Sequence, residues 1–197
     1  MRQERVGVLG GAFDPPHDGH LALARAAIDR FGLDRLVVRV VAEPGHKPVT
    51  APVAARLALA RLAFAELPEA EVSLDPHPRT VDSLAQLGLA DPVFLIGADE
   101  LLDFASWKDP DRVLALARLG VATRPGTARP ALDAVIAGLA RPDRVELFEI
   151  EAVPVSSSDV RSRVRRGEPI EELVPPAVAA EIARLGLYRP RRSAAGR

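Results

Sequence analysis

The sequence of 197 residues contains no cysteine. Disulfides, thiolate nucleophiles and cysteine-ligated zinc or iron–sulfur sites are therefore excluded. It also lacks any run of 18 apolar residues, and its first ten residues do not have the pattern of a signal peptide, so we expect no transmembrane helix and a cytoplasmic protein. With 26 basic and 27 acidic residues the formal net charge is −1, which argues against binding to nucleic acid or to an anionic membrane.

Short apolar runs alternate with longer helical patterns along most of the chain. We predict strands at 5–10, 36–41, 72–74, 93–96, 120–123 and 145–150. We predict helices at 21–31, 52–67, 81–87, 111–119, 131–139, 158–166 and 176–185. Asp18 is the expected N-cap of the first of these helices, and Gly32 is its expected C-cap. Apolar strands joined by helical crossovers favour a parallel sheet covered on both faces. The sequence therefore predicts an α/β fold, a Rossmann-like doubly wound parallel sheet with helices on both faces, in a single domain over residues 1–188.

The last nine residues, 189–197, differ in composition from the rest. They carry four arginines and no large apolar residue, so we expect a basic, disordered C-terminal tail. A nucleic-acid-binding arm is the less favoured alternative. The sequence leaves open whether the chain forms a homo-oligomer.

Residues 10–20 follow the first predicted strand and read GGAFDPPHDGH. Ligands bind at the carboxyl ends of strands in an open parallel sheet, and this segment leads into a helix N-terminus, where free N–H groups favour phosphate. Gly10 and Gly11 allow a ligand to approach the backbone closely. His17 and His20 are three residues apart, so both imidazoles point to one side. The segment is neither a dinucleotide-binding fingerprint nor a P-loop.

Other interpretations of these residues stay open when they are taken alone. The two histidines could be residues that cap a strand–turn–helix junction and have no further role. They could also form a metal pair, although no third ligand stands nearby. A second turn at 156–158 is rich in serine and precedes a predicted helix, which is typical of an N-cap but also suits phosphate oxygens. Arg161 in that helix can hold a phosphate with two parallel hydrogen bonds.

The string at 10–20 resembles the signature of the HxGH nucleotidyltransferases. Its doubled glycine and His17 make it most similar to the nicotinate-nucleotide adenylyltransferases within that superfamily. Further segments resemble the same family: HK at 46–47, FLIGAD at 94–99, WK at 107–108, VSSSDVR at 155–161 and the C-terminal stretch 174–188. The resemblance covers residues 6–188.

The resemblance implies transfer of the adenylyl group of ATP to nicotinate mononucleotide, which forms deamido-NAD and pyrophosphate. It implies ATP as co-substrate, Mg²⁺ on the triphosphate, and no dedicated metal site in the protein. The implied catalytic residues are His17, His20, Lys47 and Arg161. The residues expected at ATP are Gly10, Gly11, Ala12, Phe13, His20, Gly97, Asp99, Ser156, Ser157, Ser158 and Arg161. Those expected at the acceptor are Lys47, Thr80, Trp107 and Arg124, with the Trp107 ring stacked on the nicotinate ring.

Several of these assignments have simpler alternatives. Lys47 could be a solvated loop residue, Trp107 a core residue, and Asp99 a helix N-cap. Two positions also depart from the family pattern, because Ala12 replaces a frequent threonine and Arg79 replaces an aromatic residue. We hypothesise that Arg79 favours an acceptor with a carboxylate. Alternative functions are nucleotidyl transfer to another phosphorylated acceptor, such as nicotinamide mononucleotide or phosphopantetheine, and a non-catalytic nucleotide sensor.

Overall fold

The computed structural model describes residues 3–45 and 48–190. Six strands in this part of the chain form one sheet with the order β3-β2-β1-β4-β5-β6. Every pair of neighbours is parallel. The strands are β1 (Val6–Gly11), β2 (Arg35–Val41), β3 (Ala70–Asp75), β4 (Val93–Gly97), β5 (Arg118–Thr123) and β6 (Val145–Glu149). The predicted parallel sheet is therefore confirmed, with strand ends that differ from the prediction by no more than two residues.

The crossovers between these strands are helical. The helices are α1 (Asp18–Phe31), α2 (Val53–Phe64), α3 (Thr80–Leu87), α4 (Ala98–Leu102), α5 (Pro110–Leu116), α6 (Arg129–Ala137), α7 (Ser157–Arg166) and α8 (Pro176–Leu185). Helix α1 begins three residues before the predicted start and ends at Gly32, which adopts the left-handed conformation expected of a C-cap. Helix α4 was not predicted, because five residues are too few to show a helical period.

Two apolar cores cover the two faces of the sheet. Side chains of α1, α2, α7 and α8 pack together in one core, and those of α3, α4, α5 and α6 pack in the other. Strand β1 contributes Val8 to the second core and Leu9 to the first, since successive residues of a strand point to opposite faces. The helices therefore lie on both faces, as a doubly wound sheet requires.

The strand order reverses between β1 and β4. The chain runs outward from β1 through β2 to β3, then crosses back to place β4 on the other side of β1. Crossover loops at this position leave the sheet in opposite directions, so the carboxyl ends of β1 and β4 border a crevice. Gly11 and Gly97 are the last residues of these two strands.

Among the described helices, none combines the length and the apolar character needed to cross a membrane. Two of the sequence predictions fall outside the described residues. These are Lys47 and most of the expected tail, residues 191–197.

Candidate functional site

The turn between β1 and α1 places His17 and His20 against each other. His17 is the N-cap of α1, in place of the expected Asp18, and its backbone N–H donates to Nδ1 of His20 at 3.2 Å. Since Nδ1 of His20 accepts this hydrogen bond, the proton of the neutral ring lies on Nε2. His20 is thereby prepared to donate a hydrogen bond from Nε2 to an oxyanion.

The His17 ring is buried and packs against that of His20, with the two ring planes tilted by 37°. The ring centroids lie 3.8 Å apart, and only 8% of His17 is exposed. The pKa of His17 is lowered from 6.5 to about 4, chiefly by burial and also by the nearby positive charge of Arg124, while Asp159 acts in the opposite direction. His17 is therefore neutral at pH 7 and contributes a hydrogen-bonding ring without a full charge.

Glycine at position 19 makes this packing possible. A Cβ atom there would lie 3.1 Å from Cε1 and Nδ1 of His17, closer than ordinary van der Waals contact. A similar constraint applies at Gly11, where a Cβ would lie 3.1 Å from the ring of Phe13. The Phe13 ring is itself buried between His20 and Phe64. Of Phe13, only the backbone is placed to meet a ligand.

The serine-rich turn before α7 has the geometry of a capping box. The hydroxyl of Ser156 accepts from the backbone N–H of Asp159 at 3.1 Å, and the Asp159 carboxylate accepts from the Ser156 N–H at 3.0 Å. The expected N-cap is thus present. The N–H groups of Ser157 and Ser158 belong to the first turn, where no helical carbonyl precedes them, so they can bind an anion.

The turns at 10–20 and 156–158 both suit phosphate, and we call them the phosphate-type turns. They are in direct contact although about 140 residues separate them in the chain. The Ser157 hydroxyl donates to the Pro15 carbonyl at 2.8 Å. Nη1 of Arg161 donates to the Asp14 carbonyl at 2.7 Å, and Nη2 donates to the Ser158 hydroxyl at 3.1 Å. The histidine pair, the free N–H groups and the Arg161 guanidinium therefore belong to one site at the carboxyl edge of the sheet.

A cavity of about 420 Å³ opens beside these turns, at the ends of β1, β2, β3 and β4. Six of the predicted site residues line it: Gly10, Gly11, Ala12, Thr80, Asp99 and Trp107. The Trp107 ring packs against Phe94 and Phe104, with centroids 6.3 and 5.2 Å away, and remains partly exposed. Trp107 can therefore pack against core rings and also line the cavity, where a planar ligand can lie against its ring.

Most of the other predicted residues that the structure describes lie in the two phosphate-type turns or in the first turns of the helices that follow them: Phe13, His20, Ser156, Ser157, Ser158 and Arg161. Arg124 is exposed, does not belong to the cavity wall, and acts electrostatically on His17. Its expected contact with the acceptor stays a prediction. Asp99 is not the N-cap of α4, because Gly97 occupies that position and its N–H donates to Glu100 at 3.0 Å. The alternative interpretation of Asp99 as an N-cap is wrong, and its side chain is exposed at the cavity.

Sequence reasoning missed a buried arginine that assembles the site. Arg56 in α2 is only 1% exposed, and its guanidinium donates to the carbonyls of Ala12, Val41, Ala42 and Ala51 at 2.7–3.2 Å. It therefore ties the β1 loop to the end of β2 and the start of α2. The available signal was an arginine on the apolar face of an Ala- and Leu-rich helix.

A buried ion pair in the cavity wall was missed as well. Nη2 of Arg39 in β2 lies 3.1 Å from Oδ1 of Asp75 at the end of β3, and the same oxygen accepts from the backbone N–H of His77 at 3.0 Å. Arg39 interrupts an otherwise apolar strand, which is a visible signal, but its partner could not be identified without the pairing of β2 with β3.

The described residues contain no group of three or more His, Asp or Glu side chains able to hold a metal ion. The two histidines of the first turn lie beside the Phe13 ring, and His17 lies within electrostatic reach of Arg124 and Asp159. Hydrogen bonding to an anionic ligand is the chemistry that this arrangement supports.

Comparison with known proteins agrees with this geometry. Residues 8–163 match the model of the cytidylyltransferase-like family. A Roseiflexus sp. protein named "probable nicotinate-nucleotide adenylyltransferase" is 40% identical over 96% of this chain and 100% of its own length. A protein of the same name from Thermomicrobium roseum is 40% identical over 94% of this chain and 92% of its own.

Solved structures show the same fold. The nicotinic acid mononucleotide adenylyltransferase of Plasmodium falciparum complexed with NaAD has a TM-score of 0.76 and 15% identity, and covers 94% of this chain and 98% of its own. Its complex with APC has a TM-score of 0.75 and 14% identity over the same shares. Since the family model spans most of the chain and the bacterial relatives align nearly end to end, the chain belongs to the cytidylyltransferase-like family, in the group of the nicotinate-nucleotide adenylyltransferases.

Proposed function

We propose that the protein transfers the adenylyl group of ATP to nicotinate mononucleotide, forming deamido-NAD and pyrophosphate. The observation that carries this proposal is the contact between the two phosphate-type turns beside a cavity of acceptor size. One turn contributes His17 and His20, and the other contributes Ser157, Ser158 and Arg161. The bacterial relatives bear the name of this activity.

In the proposed reaction a phosphate oxygen of the acceptor attacks the α-phosphorus of ATP. The bond from the α-phosphorus to the bridging oxygen breaks, and pyrophosphate leaves with that oxygen. A phosphate monoester is already anionic near neutral pH, so the site needs no strong general base. Alignment of the two substrates and stabilisation of charge at the α-phosphate provide the catalysis.

The two turns bind different phosphates of ATP in this proposal. His20 donates from Nε2 to an oxygen at the α-phosphate, and the neutral His17 ring holds His20 in place by packing against its ring. Arg161 and the N–H groups of Ser157 and Ser158 hold the β- and γ-phosphates. Lys47 would hold phosphate during the transfer. Mg²⁺ would arrive on ATP, bound by phosphate oxygens and water, and would neutralise charge on the triphosphate.

The cavity receives the acceptor. The Trp107 ring forms a wall on which a pyridine ring can stack, and Thr80 begins α3 at the same cavity. Arg79, the N-cap of α3, is exposed at this cavity and makes no ion pair or side-chain hydrogen bond in the described part of the chain. Its positive charge supports selection of an acceptor that carries a carboxylate. We place the protein in the cytoplasm, where ATP is abundant.

The test is release of pyrophosphate from ATP with a panel of acceptors: nicotinate mononucleotide, nicotinamide mononucleotide and phosphopantetheine. CTP replaces ATP in a parallel series. We expect turnover with ATP and nicotinate mononucleotide to exceed every other pair. Faster turnover with another acceptor would replace the proposed substrate, and the absence of turnover with all pairs would indicate a nucleotide sensor.

A further inference from the structure

Asp14 lies in the first loop, between Phe13 and Pro15. It is 3% exposed, and both carboxylate oxygens have partners. Oδ2 accepts from the backbone N–H of Thr50 at 2.6 Å, and Oδ1 accepts from that of Ala51 at 3.0 Å. Oδ1 also accepts from the hydroxyl of Tyr188 at 2.9 Å. A single buried carboxylate thus joins the first loop, the entry to α2 and the segment after α8.

Asp14 also touches the phosphate-type site through Arg161. Nη1 of Arg161 donates to the Asp14 carbonyl at 2.7 Å and lies 4.0 Å from the Asp14 carboxylate. Only 19% of the Arg161 side chain is exposed, at the edge of the site. The position of Arg161 therefore depends on where Asp14 holds its own backbone.

The surroundings of Tyr188 favour its hydrogen bond to Asp14. It is 6% exposed, and burial together with the Asp14 carboxylate raises the pKa of its hydroxyl well above the usual value, so the phenol remains a donor. Its backbone adopts a left-handed conformation with φ 62°, and Phe13, the neighbour of Asp14, does the same with φ 48°. Bulky residues in this region are strained and persist where surrounding contacts hold them, a pattern common near functional sites.

We propose that Asp14 and Tyr188 act as a pair of positioning residues that hold Arg161 in place for the phosphates of the nucleotide. The proposal rests on the proposed function for the identity of that ligand. Through this pair the segment that follows α8 supports a site formed by the first loop, 174 residues away in the chain. Neither residue touches the reacting atoms.

The test compares Tyr188→Phe, which removes only the hydroxyl, with Ile182→Val. Ile182 is 2% exposed in α8, so its truncation weakens the packing of the same C-terminal region without touching Asp14. Both variants are studied as full chains, well below their thermal midpoints. The readouts are the dissociation constant of inorganic pyrophosphate by calorimetry, and KM for ATP and for nicotinate mononucleotide.

We expect Tyr188→Phe to weaken pyrophosphate binding and to raise KM for ATP by about tenfold, the scale of one hydrogen bond to a charged group. KM for nicotinate mononucleotide and all constants of Ile182→Val should stay near those of the wild type. If the two variants lose thermal stability alike but bind pyrophosphate like the wild type, the pair is only structural and the proposal is wrong.

The calorimetric readout separates this proposal from the proposed function, because it requires no turnover. A wild type that binds pyrophosphate but does not turn over nicotinate mononucleotide would disprove the proposed function, while the Tyr188→Phe titration would still decide the positioning role. A wild type that does not bind pyrophosphate at all would overturn the positioning role. Asp14→Asn provides a second variant, for which we expect a larger loss of pyrophosphate affinity than for Tyr188→Phe.

Discussion

His17 and His20 hold each other in place through two different contacts. Their ring centroids are 3.8 Å apart, and the backbone N–H of His17 donates to Nδ1 of His20. The first contact orients the plane of the His20 ring, and the second determines which nitrogen carries its proton. One helix N-terminus therefore provides both the orientation and the tautomer that a donor to an oxyanion requires.

Replacing His20 with alanine should abolish most of the turnover. Removal of one donor to a developing charge typically costs about 10²–10³ in rate. The folded state should persist, although loss of the capping contact costs about 1 kcal/mol of stability. Pyrophosphate release and thermal unfolding measure the two effects separately. A His20→Ala variant with turnover close to that of the wild type would show that His20 has been assigned the wrong role.

The buried ring of His17 should make the protein less stable in mild acid. Its pKa is about 4 in the folded state and 6.5 when solvated, so between these values the unfolded chain binds more protons than the folded one. Stability due to this group is therefore fully present above pH 6.5 and is lost as the pH falls toward 4. The shift corresponds to about 3 kcal/mol.

The measurement is chemical denaturation of the wild type and of His17→Gln at several values between pH 7.5 and pH 4. The difference between the two proteins isolates His17 from carboxylates that titrate in the same range. We expect the free energy of unfolding of His17→Gln to fall less steeply with acid. Parallel curves for the two proteins would show that the ring titrates as it does in solvent.

Arg79 should influence the choice between acid and amide acceptors. Its exposed charge lies at the cavity, so Arg79→Ala should reduce the ratio of kcat/KM for nicotinate mononucleotide to that for nicotinamide mononucleotide. Arg79→Lys keeps the charge and should retain more of this preference. An unchanged ratio in Arg79→Ala would remove this residue from the selection of the carboxylate.

Arg56 should matter for stability more than any exposed arginine of the same helix. Arg56→Met leaves four buried or partly buried carbonyls without their donor, and we expect a loss of about 3 kcal/mol in the free energy of unfolding. Arg61→Met, on the exposed side of α2, should change it by no more than about 0.5 kcal/mol. Equal denaturation midpoints for the two variants would contradict the bridging role of Arg56.

Local features of this protein could be predicted because they depend on neighbours in the chain. The alternation of apolar strands with helices indicated the parallel sheet, and the glycine at position 32 marked the end of α1. The loop at 10–20 contains its own capping contact between His17 and His20, three residues apart. Helix α4 escaped prediction because it is a single short turn after Gly97.

Contacts between distant segments were decided by the tertiary structure. The parallel pairing of all six strands brings their carboxyl ends to one edge, and at that edge Ser157 and Arg161 meet the first loop. The Asp14–Tyr188 hydrogen bond joins residues 174 positions apart. No periodicity or spacing encodes such a pair, because its geometry depends on strand order and on how helices pack across the sheet. The sequence by itself determined the elements and the turn chemistry, and the packing of those elements determined which buried charges became partners.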